Sequence, residues 1–216
     1  MFTGIITEIG TVEKLSSTGG GLRFRINAPR SAPDLNISDS ISINGACHTV
    51  VWEKGKSFEV ESVEETLKKT ALGSLKAGSK VNLELPMKAS GRFDGHIVLG
   101  HVDAIGSVVK ISRRESSSMF TFAIATMFCK YVVPVGSIAV DGVSLTVAEI
   151  DGNCFTVSII PHTMQQTIFQ SYKKGTKVNL EFDIVGKYIE RMIDGEQARK
   201  VAGKRLDKKR LLELGY

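Results

Sequence analysis

The chain carries one stretch of sequence twice. Residues 40–84 align with residues 137–181 at a constant offset of 97, without a gap, and 18 of these 45 positions are identical. The run Lys80-Val81-Asn82-Leu83-Glu84 recurs whole as Lys177-Val178-Asn179-Leu180-Glu181. The beginnings of the halves match at an offset of 96, with Gly4 opposite Gly100, Ile9-Gly10 opposite Ile105-Gly106 and Val12 opposite Val108. Such a period is too long for a solenoid repeat and suits a whole small domain. The 216 residues therefore divide into two homologous domains, 1–94 and 95–186, and a tail, 187–216.

Within each half the pattern is that of strands. Leu22-Arg23-Phe24-Arg25-Ile26, Ser40-Ile41-Ser42-Ile43, Phe58-Glu59-Val60-Glu61 and Val81-Asn82-Leu83-Glu84-Leu85 alternate with period two. Asn44-Gly45, Asp141-Gly142 and Asp151-Gly152-Asn153 punctuate these runs as turns. Several short strands in under 100 residues favour a closed barrel, because closure removes exposed edges. Short helices are expected over Glu64–Thr70 and Met127–Val132, the latter stopped by Pro134. In the tail, Tyr188, Ile189, Met192 and Ile193 form a narrow apolar stripe on a charged helix, and such a stripe calls for a partner such as another subunit. Gly195 and Gly203 are expected to interrupt that helix.

Composition excludes several classes. No apolar run approaches the ~20 residues of a membrane span, and the first residues lack the basic start of a signal peptide, so a cytoplasmic protein is expected. Cys47, Cys129 and Cys154 are odd in number and form no CxxC pair, and the four histidines form no ligand pattern, so no metal is assigned. The net charge of +5 gathers in the tail at Arg199-Lys200, Lys204-Arg205 and Lys208-Lys209-Arg210. A solvated helix face explains that run more simply than nucleic acid does.

The halves differ where chemistry could sit. Cys47 stands opposite Ser144, Ile5 opposite His101, and Thr7 opposite Asp103. Nucleophiles and proton-transfer groups thus gather in the second half, at His101, Asp103, Ser144, Thr146 and Asp183. Each has a plainer reading. Cys47 could be a small core residue, Ser144 and Thr146 could serve a turn, His101 could be structural and Asp183 could end a strand. The residues alone leave the function open.

Four motifs go further. Met1-Phe2-Thr3-Gly4-Ile5-Ile6, Asn44-Gly45-Ala46-Cys47-His48-Thr49-Val50, Gly95-His96-Ile97-Val98-Leu99-Gly100-His101-Val102-Asp103 and Asp141-Gly142-Val143-Ser144-Leu145-Thr146-Val147 follow one another in order. Together they resemble the riboflavin synthase family. The resemblance implies an all-β fold of two six-stranded Greek-key barrels with short helices, and a C-terminal helix that builds a homotrimer. It implies that two 6,7-dimethyl-8-ribityllumazine molecules exchange a four-carbon unit, giving riboflavin and 5-amino-6-ribitylamino-uracil without metal or redox cofactor. An association with lumazine synthase is consistent with it; nucleic acid and membrane are not expected partners.

By the same resemblance His101, Ser144 and Thr146 move the proton of the C7-methyl group, and Cys47 and Ser40 assist addition at C7 of the second molecule. Asp183 binds ribityl hydroxyls or orients the catalytic groups, and Phe2 shapes the N-terminal pocket. The first pocket is expected to take Gly4, Ile5, Ile6, Cys47, His48, Thr49, Glu61, Ser62, Val63, Glu64, Glu65 and Thr66. The second is expected to take Gly100, His101, Val102, Ser144, Leu145, Thr146, Ser158, Ile159, Ile160, Pro161, His162 and Thr163. Four positions depart from the family. His48 replaces a leucine, either altering the Cys47 thiol or facing solvent. Val135 replaces a common lysine, removing a cationic contact to ligand. Asp94-Gly95 stands where a Gly-Gly pair is common, and Ala104 replaces a glycine. The alternative is a non-catalytic lumazine- or flavin-binding protein of the same duplicated fold. A flavin reductase barrel and a basic RNA-binding barrel fit less well, for want of a Gly-x-Gly-x-x-Gly turn and of interleaved aromatics.

Overall fold

The computed structural model describes residues 1–202, with side chains through residue 193. In the first half the strands are β1 (Glu8–Ser17), β2 (Leu22–Asn27), β3 (Ser40–Ile43), β4 (Ala46–Lys54), β5 (Ser57–Ser62) and β6 (Lys80–Glu84). They close in the order β1-β2-β5-β4-β3-β6, all neighbours antiparallel. The second half repeats this with β7 (Ala104–Arg113), β8 (Ser118–Ala123), β9 (Ser137–Val140), β10 (Val143–Asp151), β11 (Cys154–Ile159) and β12 (Lys177–Phe182). These too close into a barrel. Jumping from β2 to β5 and from β3 to β6 makes each barrel a Greek key. The chain is thus all-β, two six-stranded barrels.

The alternation sets the barrels. In β2, Phe24 and Ile26 point inward, while Arg23 pairs across the outer face with Glu61. Phe58, Val60, Val81 and Leu83 complete the first core; in the second, Phe122 stacks on Phe155, and Phe169 meets Phe120 and Phe122 edge-on. Register slips after Val12, Val50, Val108 and Val147 fall at equivalent places in both halves. Bulges of this kind bend a sheet enough to close it. Asn44-Gly45 and Asp141-Gly142 have left-handed backbones, the conformation of the tight turn that joins β3 to β4 and β9 to β10.

Helix α1 (Glu64–Lys69) and its repeat α2 (Pro161–Gln166) each follow the fifth strand of their barrel. The segment expected to be helical at Met127–Val132 is a 3-10 turn over Thr126–Tyr131. The barrels together form one compact unit, Met1–Asp183. A separate helix, α3 (Ile184–Ala202), begins the tail. It runs unbroken through Gly195, contrary to expectation, since a glycine weakens a helix by only ~1 kcal/mol. Val185, Tyr188, Ile189, Met192 and Ile193 are all at least half exposed. Gly203 and the basic run from Lys204 onward lie outside the described residues.

Candidate functional site

Each half begins with a segment that is anchored on its own barrel and reaches the other. Glu84, at the end of β6, accepts hydrogen bonds from the backbone N–H of Thr3 (2.6 Å) and of Gly4 (3.0 Å). Glu181 in β12 does the same for Leu99, Gly100 and His101, at 2.6–2.9 Å. Burial pushes the Glu84 carboxyl up, and the hydrogen bonds from Thr3 and Gly4 oppose that shift. The glycine carbonyls then cross over. Gly4 accepts from the N–H of Ser144 (2.8 Å), and Gly100 accepts from the N–H of Cys47 (2.9 Å). Phe2 and Val98, equivalent residues, pair with each other in an isolated antiparallel bridge.

The crossing needs glycine. Gly4 and Gly100 have φ near +80°, and a Cβ on either would stand 2.5 Å from the Cβ of Ser144 or Cys47.

This exchange corrects the grouping read from sequence. Gly4, Ile5 and Ile6 do not join Cys47; they line a cleft of about 530 Å³ against Ser144, His162 and Thr163 of the second barrel. Gly100, His101 and Val102 do not join Ser144; they line a cleft of about 210 Å³ against Cys47, Glu65 and Thr66 of the first. Sequence adjacency could not reveal this, because the anchoring carboxylates lie some eighty residues away.

The histidine beside Ser144 is therefore His96. Its Nδ1 lies 2.7 Å from Ser144 Oγ. Its Nε2 is buried and has no hydrogen-bond partner among the described residues. Burial lowers the pKa of His96, and the charge of Asp183 opposes that shift. A neutral imidazole has one nitrogen able to accept a proton, so Ser144, His96 and Asp183 make a group fit for proton transfer. Sequence reasoning passed over His96 in favour of His101. The available signal was that Gly95-His96 and Gly100-His101 are successive Gly-His pairs.

His48 neither faces solvent nor lies on the face of Cys47. Successive strand residues point to opposite faces, so Cys47 looks out and His48 looks in. Its Nδ1 lies 2.9 Å from Ala46 O and its Nε2 2.5 Å from Ser62 Oγ. Burial lowers its pKa. The equivalents of His48 and Ser62 are Leu145 and Ile159, both buried in the second core. One polar pair thus replaces one apolar pair at the same place.

Other expected residues lie apart from the clefts. Phe2 is fully buried against Val98 and Ala139, beside Cys47. Ser40 pairs with Thr49 in the β3–β4 ladder; Thr49 and Thr146 are exposed two residues beyond Cys47 and Ser144. Glu61 is bound to Arg23, and Glu64 to Lys68. Val63, Ser158, Ile160 and Pro161 are exposed. Val135 is 81% exposed and lines neither cleft. Asp103 accepts from the N–H of Phe182 at 2.8 Å, a structural bond at the end of β12.

Comparison with known proteins agrees with this architecture. The model of the lumazine binding domain matches twice, over residues 3–86 and 99–183. A riboflavin synthase of Actinobacillus pleuropneumoniae is 44% identical over 193 residues, covering 89% of this chain and 90% of that protein. A riboflavin synthase of Bacillus subtilis is 42% identical over 193 residues, covering 89% and 90%. Among solved structures, LumP complexed with riboflavin has the same fold, with a TM-score of 0.79 at 23% identity over 84% of this chain and 99% of that one.

Proposed function

Because this chain belongs to the riboflavin synthase family, we propose that it converts two molecules of 6,7-dimethyl-8-ribityllumazine into riboflavin and 5-amino-6-ribitylamino-uracil, as a transferase of a four-carbon unit. One observation carries the reading: a duplicated fold holds two equivalent clefts with unlike reactive groups, Ser144 with His96 in one and Cys47 with His101 in the other. Two copies of one compound in unlike roles need this arrangement. One lumazine gives up a C7-methyl proton to the Ser144–His96 pair. The other undergoes addition at C7, assisted by Cys47. Fixing the two rings face to face supplies much of the rate through orientation.

The catalytic assembly is a homotrimer in which the first barrel of one subunit meets the second barrel of its neighbour. The exposed apolar side chains of α3 are the surface that builds it. In the trimer His101 and Thr146 complete the proton path, and Asp183 orients His96. The enzyme acts in the cytoplasm, alone or with lumazine synthase; no helix among the described residues is long and apolar enough to cross a membrane.

Incubating the purified chain with 6,7-dimethyl-8-ribityllumazine tests the proposal. Riboflavin and the diaminouracil should appear in equal amounts, two substrates being consumed for each pair. Tight binding without product would instead mark a ligand-holding protein.

A further inference from the structure

The two clefts are lined from equivalent positions but differ in charge. The first-barrel cleft carries Glu65 and Lys69, which pair with each other at 2.8 Å. The second-barrel cleft has a single Arg, Lys, Asp or Glu among its lining residues, Arg30, and Arg30 comes from the opposite barrel. It sits in the loop that follows β2. Buried Glu8 fixes that loop, accepting from the backbone N–H of Arg30 at 3.1 Å and of Ser31 at 2.8 Å. The guanidinium itself enters none of the ion pairs found among the described residues. The residue equivalent to Glu8 is Ala104, which has no carboxylate to offer. The clamp therefore exists in one half only and delivers a cation to one cleft only.

A guanidinium beside the apolar walls of Ile5, Ile6 and Val143 favours a ligand that acquires negative charge. The proposed reaction makes such a species. When the C7-methyl C–H bond breaks, the proton leaves for the Ser144–His96 pair and the electron pair remains on the lumazine ring. We infer that Arg30 stabilises this lumazine anion, and that the second-barrel cleft is where the deprotonated molecule sits. The inference rests on the proposed function and adds to it a binding residue and an assignment of roles to the two clefts.

The test is the pH midpoint of the spectral change that accompanies loss of the C7-methyl proton, followed with 6,7-dimethyl-8-ribityllumazine bound to the full-length protein. The other titratable groups facing this cleft are His162 and, behind Ser144, His96 with Asp183, so each variant is compared with the parent over the same pH range. The parent should lower the midpoint relative to free ligand. Arg30→Gln should raise it by about one pH unit, as removal of one nearby opposite charge does. Its kcat should fall about tenfold with a much smaller change in KM, and Arg30→Lys should lie between. The side chain is exposed, so the thermal midpoint of Arg30→Gln should match the parent. A lowered midpoint that Arg30→Gln shares fully overturns the role of Arg30 alone. A parent that neither lowers the midpoint nor forms riboflavin overturns the proposed function as well.

Discussion

Asn82 and Asn179 are equivalent residues, and among the described residues the side chain of each bonds only to the other's barrel. Asn82 donates to Asp141 O (2.9 Å) and accepts from Ile168 N (2.9 Å). Asn179 donates to Asn44 O (2.8 Å) and accepts from Ala71 N (2.6 Å). Both side chains are essentially without solvent contact. Replacing Asn82 with Ala strands a buried carbonyl and a buried N–H in the second barrel. The expected cost is about 2–4 kcal/mol, because buried groups left without partners lose their full desolvation energy. Asn179→Ala should cost as much and weaken the same joint. Denaturant unfolding is the measurement. Separation of one transition into two would show that this joint couples the barrels, whereas an unchanged midpoint for both variants would rule it out as a source of stability.

Much of the fold was legible because barrels depend on local signals. The alternation at Ser40–Ile43 coincides with β3, and the Asn44-Gly45 turn closes the hairpin where it was read. The duplication then supplied the second barrel from the first. The site was less legible because its parts meet only through long-range contacts. Nothing near Gly4 announces that Glu84 will hold it or that Ser144 will receive its carbonyl. The same gap hid His96 and misplaced His101. The pairing of His48 with Ser62 was hidden differently. His48 stood out as a departure and Ser62 only as an expected lining residue, and the inward face of β4 and β5 brings them together.

The Ser144–His96 contact makes a prediction about rate and pH. His96→Gln should lower kcat by about 10²–10⁴, the usual worth of a positioned acid–base group. Ser144→Ala should fall in the same range, and the double variant should be little worse than either, since the two act as a unit. Burial holds the pKa of His96 below the ordinary histidine value. The neutral, proton-accepting form therefore persists through neutrality, and activity should fall only on the acid side of the free-histidine range. Steady-state rates across pH check both statements. Full activity in His96→Gln would remove this residue from the chemistry.

His48 should make the first barrel acid-sensitive. Its folded-state pKa lies below its unfolded value near 6.5, because burial disfavours the charged ring. Between those two values the unfolded chain binds more protons. Its contribution to stability is thus present above the unfolded value and lost as pH falls through the folded one. Ser62→Ile alone should destabilise the protein by roughly 1–3 kcal/mol, leaving a buried ring nitrogen unpaired. Joining it to His48→Leu copies the Leu145–Ile159 pair of the other barrel. The double variant should recover most of that loss and shed this part of the acid sensitivity. Unfolding curves at several pH values, arranged as a double-mutant cycle, provide the check; additive effects would mean that the two side chains do not interact.

Asp141 predicts the opposite slope. Full burial raises its carboxyl from 3.8 to about 7, although bonds from Tyr172 OH and Asn179 N favour the ionised form. A carboxyl raised in this way favours the folded chain at low pH. That contribution is complete below the unfolded value and is lost as pH rises through the folded one. The first barrel shows what could replace it. Asn44 accepts from Asn82 N at 2.7 Å with a neutral amide in the equivalent turn. Asp141→Asn should keep the bond to Asn179, since an amide oxygen can stand where the carboxylate oxygen is, and its NH₂ can donate to Tyr172 OH. The variant should therefore be the more stable chain above neutrality by roughly 1–3 kcal/mol, with the advantage shrinking toward acid pH. Thermal unfolding of both proteins across that range decides the matter. If Asp141→Asn proved less stable well above neutrality, the buried carboxylate would have to be stabilising in its ionised form, through the bonds from Tyr172 OH and Asn179 N.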